Sequence, residues 1–510
     1  MIFGRVKPLD AILATAEKKS LHRTLGWFQL MLFGIGCVIG TGIFVLTAAG
    51  AQKAGPGLML AFAIAGAVCI IAALCYAEIA SMIPVAGSAY TYSYASVGEL
   101  LAWTVGWALI MEYAIAAAAV SVGWSGYFVG SILDETLGVT LPNWLSAGPL
   151  ALGGAEGGLI NLPALIIALL VTGLLVVGTS ESAKVNAVLV LIKVTALTAF
   201  IALTFTSPSF DASHFNPFLP AGVFGGFGSG LGAVATAAEE TKNPQKNVPI
   251  GLVGSLLFCT VFYILVAAGA IGTIGGQPIM GPNGVPFPTG SEELARQCAT
   301  YAADQLPLVC SNEALAHVLR QIGWSGIGNL LGIAAFLALP SVILVLIYGQ
   351  TRIFFVMARD GLLPESLSRV HPKYKTPHIV TMLTGGAVAI GAAFFPVGKL
   401  ADISNAGTLY AFMMVAIALL VLRSRDPERK RSFRVPAAWL IAPLTIAGCV
   451  FLFLNLPYEA MLFLPGWGLL GIVIYFAYSR SRSHLARGIV EVFEDVPGEE
   501  TMVPIDPPSN

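Results

Sequence analysis

Phe33-Gly-Ile-Gly-Cys-Val-Ile-Gly-Thr-Gly-Ile-Phe44 sets four glycines, Gly34, Gly36, Gly40 and Gly42, inside a stretch with no charge from Leu25 to Gln52. An uncharged apolar run of that length reads as a membrane span. Glycine lets the backbone leave the helix and frees peptide N–H and C=O groups. In hydrocarbon such groups are tolerated only where they face protein, a cavity or a ligand. A glycine-interrupted span therefore points to a transporter's binding site near the bilayer midplane. The alternative is a small-residue packing face, since Gly36 and Gly40 also satisfy Gly-x-x-x-Gly. The glycines crowd one point rather than line a face, which favours the break.

The rest of the chain agrees with a membrane setting. Hydrophobic residues make up 56% and charged residues 11%, far from a soluble domain, so the fold class is an all-α polytopic membrane protein. A net charge of -1 gives no reason to expect nucleic acid as a partner. Arg5, Lys7, Lys18, Lys19 and Arg23 precede the first span without a cleavage-like site, so that span is expected to act as the insertion signal. Cysteines 37, 69, 75, 259 and 449 lie in apolar runs and read as packing residues. Cys298 and Cys310 lie in a polar stretch; if that stretch is outside the cell, they are candidates for a disulfide.

Apolar runs able to cross about 30 Å of hydrocarbon start near Leu25, Leu58, Leu100, Leu159, Val185, Ala221, Pro249, Ile327, Ile379, Leu400, Val435 and Met461. That makes twelve expected transmembrane helices. Placing the N-terminus inside puts 22 Lys and Arg in cytoplasmic segments and only Lys53, Arg296, Arg320 and Lys399 outside. This bias orients both termini to the cytoplasm. Val85–Gly98 is tyrosine-rich and uncharged, which suits an interfacial or re-entrant segment. The tail from Gly488 is acidic and ends in prolines, a composition expected to stay without regular structure.

Span 6 is anomalous. Of the 18 residues from Ala221 to Ala238, seven are glycine or serine, including Gly228, Ser229 and Gly230. Eighteen helical residues reach about 27 Å, and that glycine content argues against an unbroken helix. It reads as a second broken span, five after the first, where an inverted five-helix repeat would put one. Two charges also interrupt clean spans: Glu112 in span 3 and Lys193 in span 5. Each costs at least about 2.5–3.5 kcal/mol to insert, so each should face a partner or a wet cavity. The alternatives are snorkelling for Lys193 and a purely structural hydrogen-bond partner for Glu112. Glu78 and Arg352 sit near inner span ends and read as gate or interface residues.

Five ordered motifs then resemble the amino acid–polyamine–organocation transporters, in the bacterial branch related to the cationic amino acid transporters. They are Gly34-Ile-Gly36 with Ile39-Gly-Thr-Gly-Ile-Phe44; Tyr76-Ala-Glu78 with Pro84-Val-Ala-Gly-Ser-Ala-Tyr-Thr-Tyr92; Ala237-Ala-Glu-Glu-Thr-Lys-Asn-Pro-Gln245 with Pro249; Gly349-Gln-Thr-Arg-Ile-Phe355 with Arg359-Asp-Gly-Leu-Leu-Pro364; and Ile403-Ser-Asn-Ala-Gly-Thr-Leu409. The match runs from about Leu21 to Ser479. The resemblance implies a 5+5 inverted-repeat (LeuT-like) core with broken helices 1 and 6 and two peripheral helices. On that pattern, residues 1–24 are a cytoplasmic N-terminus and 25–206 the first repeat. Residues 207–422 are the second repeat with an external loop at 275–324, 423–479 hold spans 11 and 12, and 480–510 form a cytoplasmic acidic tail.

The resemblance also implies where an amino acid would sit. Its carboxylate would meet the amides of Thr41 and Gly42 beside Gly40, and its ammonium the Ile39 carbonyl. Half-helix N-termini attract anions and C-terminal carbonyls attract cations, which agrees. Lys193 matches the span-5 lysine that replaces a sodium ion in proton-driven relatives, and span 8 offers only Ser341 there, which favours protons. One departure stands out: the first half of span 6 is shortened by roughly two helical turns, and Gly232 stands where relatives carry an acid.

The resulting expectation is a secondary transporter of amino acids in the bacterial inner membrane, working by proton symport and alternating access. Gly228-Ser-Gly230 and the first break would hold the substrate backbone, Lys193 the coupling proton, and Glu112 the side-chain pocket. The alternatives are an amino-acid or amine exchanger on the same fold, and a transport-defective binding or regulatory protein. An enzyme is not expected, since no span carries a paired nucleophile and base. Neither cofactor nor metal is expected; the partners are a small amino acid, protons and the lipid bilayer.

Overall fold

The computed structural model describes residues 5–9, 12, 27–83, 87–149, 158–178, 183–220, 244–302, 305–488, 492–496 and 499–502. Expected span 6, with Gly228, Ser229 and Gly230, lies outside the described residues.

The first span is three helical pieces: α1 (Trp27–Val38), α2 (Thr41–Phe44) and α3 (Leu46–Ala54). Gly55, at φ +58, and Pro56 then turn the chain into α4 (Leu58–Met82). Next come α5 (Ser88–Ser96) and α6 (Glu99–Tyr127). They are followed by α7 (Leu162–Val177), α8 (Ala183–Phe205) and α9 (Pro244–Ile274). A loop carries α10 (Glu292–Cys298) and α11 (Ala314–Gln321). The chain closes with α12 (Ser325–Arg359), α13 (His378–Phe394), α14 (Val397–Arg425), α15 (Ala438–Leu454) and α16 (Tyr458–Ile474).

Among the described residues, seven helical stretches are long and apolar enough to cross a membrane, and α7, α13 and α15 are shorter apolar helices. The chain is a multi-pass membrane protein. Helix α6 runs through the middle, packed between α12 and α14. Outer faces are apolar and exposed, as a lipid boundary requires: Leu169, Leu191, Leu257, Leu330, Leu383 and Trp439 all point outward. On α8 the helical period decides which residue goes where. Val190, Lys193 and Leu197 fall on one buried face, whereas Val188 and Leu191 face out.

The lysine- and arginine-rich side, here the basic end, holds a buried cluster around Tyr76, Tyr90, Tyr92, Trp103 and Phe412. A second cluster, with Ile39, Phe44, Trp124, Tyr127 and Leu339, lies toward the opposite end. The tyrosine-rich segment forms α5, whose residues are all buried. Its hydroxyls find acids, Tyr90 donating to the distant Asp360 (2.7 Å) and Tyr94 to Glu99 at the start of the next helix (3.0 Å). A buried tyrosine with a partner for its hydroxyl is an ordinary core residue. The tail departs from expectation, because 492–496 pairs antiparallel with 499–502, setting Val492 opposite Met502.

Candidate functional site

The first span breaks where the glycines predict. No helical turn covers Ile39 and Gly40, and the helix restarts on the Gly40 carbonyl, which accepts from Ile43, three residues on, and from Phe44, both at 3.3 Å. A continuous helix would pair the carbonyls of Gly36, Val38 and Phe44 with amides four residues on. Instead each is taken by a side chain. Lys193 Nζ of α8 donates to Gly36 O at 2.9 Å. The Tyr263 hydroxyl of α9 donates to Val38 O at 2.5 Å, and its own oxygen faces the Gly40 amide. The Tyr127 hydroxyl of α6 donates to Phe44 O at 2.7 Å.

Three neighbouring helices thus hold the unwound segment by its freed carbonyls. The cation sits at the C-terminal end of α1, where the helix dipole favours it. A side chain would be crowded here. A Cβ on Gly42 would lie 3.2 Å from the Tyr263 hydroxyl, and one on Gly40 would lie 3.3 Å from Val342. A mainly apolar cavity of about 70 Å³ opens beside the break, lined by Gly42, Phe62, Cys259 and Tyr263 among others.

Ile39 and Lys193 are fully buried. The backbone of Thr41 starts α2, but its side chain is outside the described residues. Ser341 is buried, and its hydroxyl donates to Ala338 O of its own helix at 2.8 Å. Pro340 lacks an N–H, which leaves Phe336 O without its helical donor; Trp124 Nε1 of α6 takes that carbonyl at 2.9 Å. Val342, one residue past Ser341, abuts Gly40.

Glu112 turns toward α14. Its Oε1 accepts from Thr408 Oγ1 at 2.7 Å, while Oε2 is buried with no hydrogen bond among the described residues. Gly407 makes room for it, since a Cβ there would stand 2.9 Å from that of Glu112.

Ion pairs tie helix ends on both sides. At the basic end, fully buried Glu78 accepts from Arg423 Nη2 (2.6 Å) and Nε (2.9 Å) and from the Val435 amide (2.6 Å), with Arg431 Nε at 3.1 Å. Arg352 instead stacks over Tyr348 on its own helix. Lys7 pairs with Asp360 at 2.7 Å. Burial pushes the Asp360 carboxyl up, but Lys7, Arg359 and the Tyr90 hydroxyl outweigh it and hold the group below the usual range.

At the opposite end, Lys53 at the close of α3 pairs with both oxygens of Asp402 on α14 (2.5 and 2.7 Å). A cavity of about 550 Å³ opens there, lined by Ala48, Ser125, Asn161 and Glu313 among others. Glu313 bonds Ser131 and pairs with Arg320. Burial raises its pKa, and Arg320 and Ser131 offset part of that rise. Cys298 and Cys310, which line the same cavity, are joined by a disulfide with a Cα–Cα distance of 5.6 Å.

Sequence reasoning missed Tyr263, Tyr127 and Trp124. The one signal was their type: polar-tipped aromatics inside apolar runs need an acceptor when buried.

The model of a family described as "Amino acid permease" matches residues 25–468. A branched-chain amino acid permease of Bacillus subtilis (strain 168) is 42% identical over 495 residues, covering 95% of this chain and 99% of that protein. A methylthioribose transporter of the same strain is 38% identical, covering 94% and 98%. Cationic amino acid transporter 9, chloroplastic, of Arabidopsis thaliana is 35% identical, covering 82% and 70%. On these matches the chain belongs to the amino acid permease family, within the amino acid–polyamine–organocation transporters, and is a transporter rather than an enzyme.

Proposed function

We propose that this chain carries amino acids across the bacterial inner membrane by proton symport and alternating access, with both termini in the cytoplasm. In this reading twelve spans form a 5+5 inverted repeat, 25–206 and 207–422, with 423–479 peripheral. The substrate carboxylate takes the amides of Thr41 and Gly42, and its ammonium takes the Ile39 carbonyl beside Gly40. Gly228, Ser229 and Gly230 supply the second break. Glu112, with an oxygen left over after Thr408, sets the polarity of the side-chain pocket.

One observation carries the coupling. Lys193 Nζ bonds Gly36 O at 2.9 Å, on the turn of α1 that precedes the break. A charge-assisted hydrogen bond contributes about 1.5–3 kcal/mol. Loss of the proton weakens it and loosens α1 from α8, so protonation and the geometry of the substrate cradle change together. Ser341 lies on the helix whose Val342 touches Gly40 and completes the coupling site.

The relatives' names span branched-chain and cationic amino acids, so leucine and arginine are the substrates to test. The assay is uptake into substrate-free proteoliposomes with an acid exterior. Concentrative uptake that collapses with a protonophore is the expected result. Uptake only against internal amino acid would make the protein an exchanger and end the symport reading.

A further inference from the structure

The segment after α16 does more than leave the membrane. Ser479 Oγ donates to Leu362 O (2.6 Å), Ser483 Oγ to Glu99 Oε2 (2.6 Å), and the His484 amide to Asp360 O (3.0 Å). These bonds lay the segment across the end of α12 and the start of α6. Gly361, at φ +74, permits the crossing: a Cβ there would stand 2.7 Å from both Arg482 O and His484 Cδ2. The chain's beginning is tied to the same knot. Lys7 holds Asp360, the Glu99 amide donates to Arg5 O (2.9 Å), and Leu9 and Ile12 are buried.

His484 is the odd member. It is 4% exposed, yet neither ring nitrogen makes a hydrogen bond among the described residues. Glu365 Oε1 stands 3.7 Å from Nε2, beyond hydrogen-bond reach, and Arg487 shares that carboxylate at 4.0 Å. The charges acting on the ring are Asp360 at the end of α12, Glu365 and Arg487; Lys7 and Arg359 act in turn on Asp360. A buried imidazole with unmet nitrogens is tolerable when neutral and costly when charged.

We propose that residues 479–487 form an acid-released strap over the basic end of the bundle, closed when His484 is neutral and freed when it is protonated. The direction follows from linkage. Burial, with Arg487, lowers the His484 pKa in the strapped form, and Asp360 and Glu365 only partly restore it. The strap's advantage is therefore complete above the exposed-histidine value of about 6.5 and is lost as pH falls below it. At pH 5.5 the released form gains up to about tenfold, because about ten in eleven exposed imidazoles are charged there. Release frees Glu99 from Ser483 and the Asp360 carbonyl from the His484 amide, loosening the basic ends of α6 and α12 while the Tyr475 hydroxyl still holds Glu99.

Hydrogen exchange on the full chain in nanodiscs tests this without reference to transport. Amides of 479–488 are compared at pH 7.5 and 5.5 after correction for the intrinsic pH dependence. Protection in the native chain should fall up to about tenfold at pH 5.5, whereas His484→Gln, which cannot titrate, should show equal protection at both pH values. Equal protection in the native chain overturns the proposal. So does an acid loss in His484→Gln as large as in the native chain. Glu365→Gln covers the case in which the first variant fails to fold. It removes one of the two carboxylates acting on the ring and leaves Asp360, so release should begin at a less acidic pH; release no earlier than in the native chain counts against the strap.

Discussion

Replacing Tyr263 by Phe removes one oxygen and leaves the ring, which packs edge-on against Phe62 at a centroid distance of 5.3 Å. What changes is the first break. Val38 O loses its 2.5 Å donor and the Gly40 amide loses the oxygen it faces. No water in hydrocarbon replaces them. An unsatisfied buried carbonyl costs about 1–3 kcal/mol, and ring packing contributes nothing to the difference. The ordered break is then disfavoured by a factor of about 5 to 150 against a collapsed or rewound segment. In proteoliposomes the KM for the substrate should rise by at least about fivefold, with Vmax less affected because Lys193 keeps its place. Tyr127→Phe, which frees Phe44 O on the far side of the break, removes a second of these hydroxyls and should raise the KM in the same direction. An unchanged KM with unchanged thermal stability in Tyr263→Phe would refute the claim that side-chain hydroxyls hold the unwound segment in shape.

Two other perturbations reach different parts of the molecule. Glu78→Gln leaves Arg423 and Arg431 buried without a countercharge, which costs about 3–5 kcal/mol; thermal unfolding in detergent should come markedly earlier, and an unshifted transition would contradict the pairing. Reducing the Cys298–Cys310 bridge reopens a loop of 12-residue separation, worth about 3 kcal/mol of chain entropy. Trypsin should then cut at exposed Arg296 sooner, and equal cleavage of bridged and reduced protein would show that the bridge constrains nothing.

The helices were legible because membrane spans write themselves in composition. Ten described apolar helices stand where uncharged runs predict, and the first break falls on the glycines that mark it. The inward turn of Lys193 was legible too, since a charge in hydrocarbon has few places to go. Its acceptor was not. Periodicity says that Lys193 shares a face with Val190 and Leu197, but not that Gly36 O lies opposite. Tyr263 was hidden for the same reason: an aromatic in the run Val261-Phe-Tyr-Ile264 looks like lipid-facing bulk until the tertiary fold brings Val38 to it. The burial of the α5 tyrosines was not legible, because Asp360, the partner of Tyr90, becomes a neighbour only after folding. That Glu112 faces a partner or a cavity was legible; that the partner is Thr408, 296 positions away, was not, a separation no local pattern encodes.

Lys193→Met tests most directly whether the cation on Gly36 O couples proton to substrate. The native chain and the variant are reconstituted side by side, and pH-driven accumulation is measured together with exchange of labelled against unlabelled amino acid. The variant should lose accumulation and retain exchange at a raised KM, because Tyr263 and Tyr127 still hold the break while the proton carrier is gone. Accumulation at the native level in Lys193→Met would contradict the account.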